Sequence, residues 1–368
     1  MRQPTCVSNR IQPAMTRLLG LLPMILLAIA NAAFAQQFAG QTINVIVNFS
    51  AGGPTDIEAR IVAAHLPKYL QGVNAVIVRN VGGGGGRIAV NQLGTASSAR
   101  DRLNIGYFTW NPIDQIIQEP TLLVRYNDLK VIAGVVQASL LYIRRDTPPG
   151  INKPADIARA PLIRVGTLGP TNRGWIRMRL ALELLGAKYE AIPGYKGLAD
   201  IDVALQRNDV QMSTNAFSGY FASTKPNLVD SGIAIPLLQY DRADGLPGRS
   251  PDLPDVPTFL ELYKDIYGKD AMPSGEKWEI LQFLTRLLDT MFRSVFMAPN
   301  APPAAVEEMR GAFAKLGKDP EFIAQYEKVA FSKLRFIMGP EAEHVIAELD
   351  RIKPSMVTFL RKYMEAPK

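Results

Sequence analysis

The residues of this sequence with the plainest chemical use are two near-copies of one tetrapeptide. Gly53-Pro54-Thr55-Asp56 and Gly169-Pro170-Thr171-Asn172 each stand between an apolar, strand-like run and a run of helical period. A helix N-terminus leaves up to four backbone N–H groups unpaired and carries about half a positive charge, so such a turn can receive a carboxylate or phosphate without a cationic side chain. One copy alone reads as an ordinary turn and cap, with Thr55 and Glu58 at capping-box spacing. Two copies, one in each half of the chain, predict two electropositive helix ends, with a single ligand bridging residues 53–56 and 169–173.

The rest of the inventory excludes much. Cys6 is the only cysteine, and His65 and His344 are the only histidines. That rules out a Cys/His zinc cluster, a thiol nucleophile and a histidine-rich metal site. Both histidines fall in helical runs, 61–70 and 341–349, where a surface or core-edge role is expected. A Ser/His/Asp hydrolase would need one of them, and there is no Gly-x-Ser-x-Gly elbow. The run Gly82 to Gly86 gives way to Arg87 where the dinucleotide fingerprint needs its third glycine, and no Gly-Lys-Ser/Thr follows, so both phosphate-loop motifs fail. We therefore expect no catalytic residue, metal or cofactor. The net charge is +7, with basic residues interspersed among acids, and no nucleic-acid partner is expected.

Strand and helix must alternate to position the two turns, the pattern of an α/β protein with mostly parallel sheets. Residues 43–47 read as a strand, 48–54 as a turn, and 56–70 as a helix with Ile57, Ile61, Val62, Leu66 and Tyr69 on one face. Strands at 75–78 and 103–107 flank the glycine loop. Residues 131–142 read as one longer extended stretch, and Asp146-Thr147-Pro148-Pro149-Gly150 punctuates the chain as a first crossing between lobes. The second half repeats the opening: strand 162–165, turn 166–171, and helix 173–185 with Met178, Ala181, Leu182 and Leu185 on one face. Leu281, Leu284, Leu288 and Phe292 predict an amphipathic helix packed on the first lobe. C-terminal helices are expected over 302–316 and 341–359, the latter bent at Pro354.

The first thirty-five residues differ in kind. Arg2, Arg10 and Arg17 are their only charges, 18–30 is almost wholly apolar, and Ala33-Phe34-Ala35 offers small residues at the two positions a signal peptidase reads. A secretory signal peptide cleaved before Gln36 is expected, with Met15 an equally serviceable start. As a membrane anchor the apolar run is shorter than the ~20 residues required, and it contains Pro23. Cleavage removes the sole cysteine and lowers the net charge by three. The mature chain is longer than one hydrophobic core usually serves, so two lobes are expected.

Several motifs occur together in an order and spacing that resemble the Bug family, the extracytoplasmic solute receptors of tripartite tricarboxylate transporters. They are Phe49-Ser50-Ala51-Gly52-Gly53-Pro54-Thr55-Asp56 followed by Ala59-Arg60, the run Gly82 to Gly86, Tyr195-Lys196-Gly197, and Pro254-Asp255-Val256-Pro257-Thr258 followed by Glu261. The resemblance runs from about Thr42 to the C-terminus, including Met297-Ala298-Pro299-Asn300-Ala301-Pro302. It implies a type II periplasmic-binding-protein-like fold whose two α/β lobes close on a small carboxylate, held largely through main-chain groups and ordered water. Lobe 1 would comprise 36–140 and 239–368, with an insertion at about 263–291, and lobe 2 would comprise 141–238. The partners implied are permease subunits of such a transporter or a sensory protein, and the location is the periplasm.

Carried over by position, the resemblance implies ligand contacts from Phe49, Ser50, Ala51 and Asp56, and from Thr109, Trp110 and Asn111. From the second lobe it implies Gly169, Thr171, Asn172, Arg173, Tyr195, Gly197 and Asn215. Arg87, Trp110, Arg173 and Trp175 depart from the family's usual small or amide residues. The two tryptophans leave room for an aromatic ligand beside a dicarboxylate, and Arg173 is expected at the rim. The rival reading is an exported enzyme using Asp56 as a general base. Against it, an aspartate in the first turn serves the helix end and its dipole.

Overall fold

The computed structural model describes residues 37–240 and 248–365. The expected signal segment lies outside the described residues.

The alternation of strand and helix builds two sheets. In the first, β1 (Thr42–Val47) lies between β2 (Ala75–Asn80) and β3 (Ile105–Thr109), all parallel. Its other half is antiparallel: β10 (Arg293–Met297) pairs with β3 and with β4 (Lys130–Val135), and β11 (Phe336–Met338) closes the edge beside β4. In the second sheet β6 (Ile163–Gly166) runs parallel to β7 (Tyr189–Ile192) and β8 (Met212–Ala216). There β5 (Ser139–Arg144) is antiparallel to β8 and to β9 (Ala234–Gln239). The α/β class and the two-lobed architecture expected from sequence are present, but the sheets are mixed instead of mostly parallel: five of the nine strand pairings among the described residues are antiparallel.

The extended stretch read over 131–142 is two strands in different sheets, so the chain crosses at 136–138, ahead of Asp146-Thr147-Pro148-Pro149-Gly150. The crossing peptides leave the ladders: Val136 N–H donates to the Arg335 carbonyl and Gln137 N–H to that of Asp289. A continuous β pattern carries no mark of which sheet each half joins.

The main helices are α1 (Pro54–His65), α2 (Arg87–Gly94), α3 (Arg173–Leu184), α4 (Leu198–Gln206), α5 (Phe259–Tyr267) and α6 (Glu276–Thr290). They continue as α7 (Pro303–Leu316), α8 (Pro320–Ala330), α9 (Pro340–Ala347) and α10 (Pro354–Glu365). Helix α1 gives way at His65 to a tighter turn, Leu66–Tyr69, because Pro67 lacks the N–H that would continue it. Its buried face is Glu58, Ala59, Val62 and Ala63; of the predicted face, Val62 and Leu66 are buried and Ile61 and Tyr69 pack against the same core, whereas Ile57 is 41% exposed. Pro354 opens a separate helix instead of bending a longer one. Helix α8, which hydrophobic period alone did not reveal, begins at Pro320 behind an Asp319 cap whose carboxylate accepts from the Glu321 and Phe322 amides.

Two corrections concern the region after β9. The chain does not rejoin the first sheet until Arg293. Helix α6 packs chiefly against α3 of the second lobe, while its Arg286 pairs with Glu348, just after the helix α9 that packs on β4 of the first. It is held against α3 by Ile280, Leu284, Leu287 and Leu288, and by an Arg177–Asp289 ion pair of 2.8 Å. Periodicity defined the apolar face of this helix but could not say what covers it. The core is continuous through the centre of the molecule, from Ile46 and Phe296 of the first sheet past Leu281 and Leu288 to Leu141 and Leu237 of the second.

Candidate functional site

The two tetrapeptides are not structural equivalents. Pro54 is the first residue of α1 and Gly53 its N-cap, so Thr55 and Asp56 lie inside the first turn. In the second copy Asn172 is the N-cap, its side chain accepting the Trp175 N–H at 3.0 Å, and α3 begins only at Arg173. The capping box expected from Thr55 and Glu58 does not form. Thr55 Oγ1 lies 2.8 Å from Thr109 Oγ1, and Arg293 and the hydroxyls of Tyr107 and Tyr326 occupy the Glu58 carboxylate.

The two helix ends also differ in charge. Asp56 Oδ2 accepts from Gly52 N–H at 2.8 Å and from Arg60 Nε at 2.9 Å. Burial raises its pKa, but these bonds together outweigh burial and hold the carboxyl below the ordinary aspartate range. An ionised Asp56 therefore already answers the positive end of α1 and opposes a second anion there. The first turn of α3 contains no acid. Of the two ends, only that of α3 remains electropositive, which corrects the expectation of a matched pair.

Phe49, Ser50 and Ala51 are exposed in the loop between β1 and α1. Beside them the glycine run approaches β1 closely: a Cβ on Gly86, where φ is +100°, would stand 2.5 Å from Asn48 Nδ2, so glycine is required. The Asn48 side chain in turn brackets the Thr109 peptide, donating to its carbonyl and accepting its N–H, both at 3.0 Å. Asn111 donates to Asp114, which pairs with Arg87 at 3.2 Å. Trp110 is fully buried, edge-on to Tyr126 with centroids 5.9 Å apart. Trp175 is 6% exposed, against Tyr189. Neither tryptophan lines a mouth, so they offer no face to an aromatic ligand.

The halves meet at Arg173. Its Nη1 donates across the interface to the Trp110 carbonyl at 2.8 Å, and its guanidinium lies 4.4 Å from the Phe292 ring centroid. Arg293 stacks on the same ring at 4.4 Å. Arg293 is neutralised by Glu58 and Arg177 by Asp289, both carboxylates buried. Among the described residues Arg173 has no carboxylate partner. Burial, joined by the like charges of Arg293 and Arg177, lowers its pKa to about 9, so it remains a cation at neutral pH. It is not the rim residue expected from sequence.

Gly169 and Gly197 have open space in front of them, and Thr171, Tyr195 and Gly197 are partly exposed on the second-sheet side. Asn215, like Asp56 and Trp110, is buried. Its amide donates to Thr224 Oγ1 at 3.1 Å, Thr224 donates to Asp202, and Tyr142 donates to the other Asp202 oxygen, a buried chain inside the second lobe. Sequence reasoning missed Asp289 and Arg293, and gave Glu58 and Phe292 only a capping and a packing role. The one signal available was an arginine opening the short buried strand 293–297, whose other residues are Ser294 and three apolar ones.

Far from this interface, His65, Asp319 and Glu321 bring possible metal-ligand atoms within 4.8 Å of one another. Lys68 Nζ reaches all three, at 3.2, 3.4 and 2.6 Å, and supplies the positive charge itself. No helix among the described residues is long and apolar enough to cross a membrane.

Loops at the carboxyl ends of the strands of two α/β sheets, meeting across an interface, define a class of two-lobed α/β folds. Within that class the chain has the fold of BugD, a periplasmic binding protein: TM-score 0.61 at 20% identity, covering 89% of this chain and 99% of that one. It is equally similar to R. palustris Rpa4515 with adipate: TM-score 0.60, 20% identity, covering 89% of this chain and 99% of that one. The resemblance to the Bug family read from the motifs thus extends to the fold. By sequence the chain is 23% identical, over 80% of its length and 84% of the relative's, to a UPF0065 protein in the TAR-I ttuE-ttuC' intergenic region of Agrobacterium vitis. No family model matches the chain.

Proposed function

We propose that this protein is a Bug-type periplasmic receptor that captures a small carboxylate in the cleft between its lobes and closes on it, without chemistry. The observation carrying this reading is the meeting of the 109–111 loop with the start of α3, where Arg173 is a cation that has no carboxylate partner among the described residues. An anionic solute matches that charge. The structural neighbour with adipate supports the same ligand class. Phe49, Ser50, Ala51, Thr171, Asn172, Tyr195 and Gly197 would surround the ligand. Thr109, Trp110 and Asp56 would hold the walls in place, their polar groups being largely committed to protein partners.

The lowered pKa of Asp56 and its bond to Arg60 make it a poor general base, which disfavours an exported enzyme. Delivery would be to a permease of the tripartite tricarboxylate type or to a sensor, after export and cleavage before Gln36. Mass spectrometry of small molecules released from purified protein tests the reading: a carboxylic acid is expected, and recovery of a neutral solute alone, or turnover of a bound acid, would refute it. N-terminal sequencing of the periplasmic protein checks the cleavage site.

A further inference from the structure

Resting on the carboxylate reading, we propose that Arg173 binds the ligand's carboxylate directly and so sets the preference for an acid over its neutral amide. Three arginines, Arg173, Arg177 and Arg293, crowd the lobe interface with two carboxylates, Asp289 and Glu58. The two carboxylates are committed to Arg177 and Arg293, which among the described residues leaves one positive charge uncompensated. That charge resides on the one guanidinium of the three that reaches across to the opposite lobe.

The donors of Arg173 are arranged for such a contact. A guanidinium has five N–H groups in a fixed fork suited to a carboxylate. Among the described residues, Arg173 spends only an Nη1 bond on protein, to the Trp110 carbonyl. Arg173 itself is half-buried, whereas Arg177 is buried and its Nε has no hydrogen-bond partner among the described residues. Phe292 fixes the plane of the group from one face, so ligand binding would freeze little further motion of the side chain. A bidentate, charge-assisted contact is shorter and stronger than the neutral hydrogen bonds offered by the surrounding main chain.

Calorimetry with succinate, glutarate, adipate, benzoate and the corresponding amides tests this, using wild-type protein, Arg173→Gln and Arg173→Lys. Wild type should bind at least one acid and prefer it to its amide by about tenfold or more, the scale of a charge-assisted over a neutral contact. In Arg173→Gln that ratio should fall to within about threefold, with partial recovery in Arg173→Lys. If Arg173 acts only by joining the lobes, acid and amide will weaken together and the ratio will survive, which overturns the inference and leaves the receptor reading standing. Failure of wild type to bind any of the acids would overturn both.

Discussion

Glu58 and Arg293, 235 positions apart, are joined by two buried hydrogen bonds of 2.8 and 3.0 Å that tie the second turn of α1 to the strand entering the sheet after α6. Tyr107 and Tyr326 complete the coordination of Glu58, and Arg293 Nη1 reaches Thr109 at 3.0 Å. The pair thus sets where the 109–111 loop stands. Replacing both partners by apolar groups could be neutral, but removing one leaves the other charged in the core. Arg293→Met should cost about 3–5 kcal/mol of stability, measured by urea unfolding. A loss below about 1 kcal/mol would mean that water reaches Glu58.

Gly197 offers a cleaner block of the cleft than Gly169. At Gly169 φ is +147°, so any side chain there strains the backbone as well as filling space. Gly197 has φ −160° and ψ 166°, an extended conformation open to any residue, and nothing lies within 4 Å of where a Cβ would stand. Gly197→Val should change stability by no more than about 0.5 kcal/mol. Its affinity for the copurified solute should nevertheless fall at least tenfold. Unchanged affinity by calorimetry would place the solute elsewhere.

Asp319 makes stability depend on pH. Burial raises its pKa, but hydrogen bonds from Tyr69, from the Phe322 and Glu321 amides and from Lys68 prevail and lower it to about 2. A lowered pKa contributes stability that is complete above the unfolded value of about 3.9 and is lost as pH falls through the folded value. Asp319→Asn should therefore be less stable than wild type at pH 6, with the difference vanishing as pH approaches about 2. Urea midpoints across that range check this. A difference that stays constant with pH would show that the cap, not the charge, matters.

How much was legible in the sequence differs by level. The class, the alternation and both long helices opening at tetrapeptides followed from period and turn chemistry. Which partner each apolar face would meet did not. Helix α6 could be recognised from Leu281, Leu284 and Leu288, yet its place against α3 depends on Asp289 meeting Arg177, a contact between distant segments. The tetrapeptides misled because Pro54 starts its helix, whereas Asn172 delays its own by capping with its side chain. The family resemblance implied Asn215 as a ligand contact by position, and only the buried partners Thr224 and Asp202 reveal its inward turn.

The unbroken apolar core running from Ile46 through Leu288 to Leu237 has a consequence for thermal denaturation. Two lobes sharing only a polar cleft would melt as separate bodies, each with its own heat-absorption peak. Here neither sheet can come apart without stripping α6 of half its cover. The protein should therefore melt in a single endotherm whose van't Hoff and calorimetric enthalpies agree, and a bound solute should shift that peak whole.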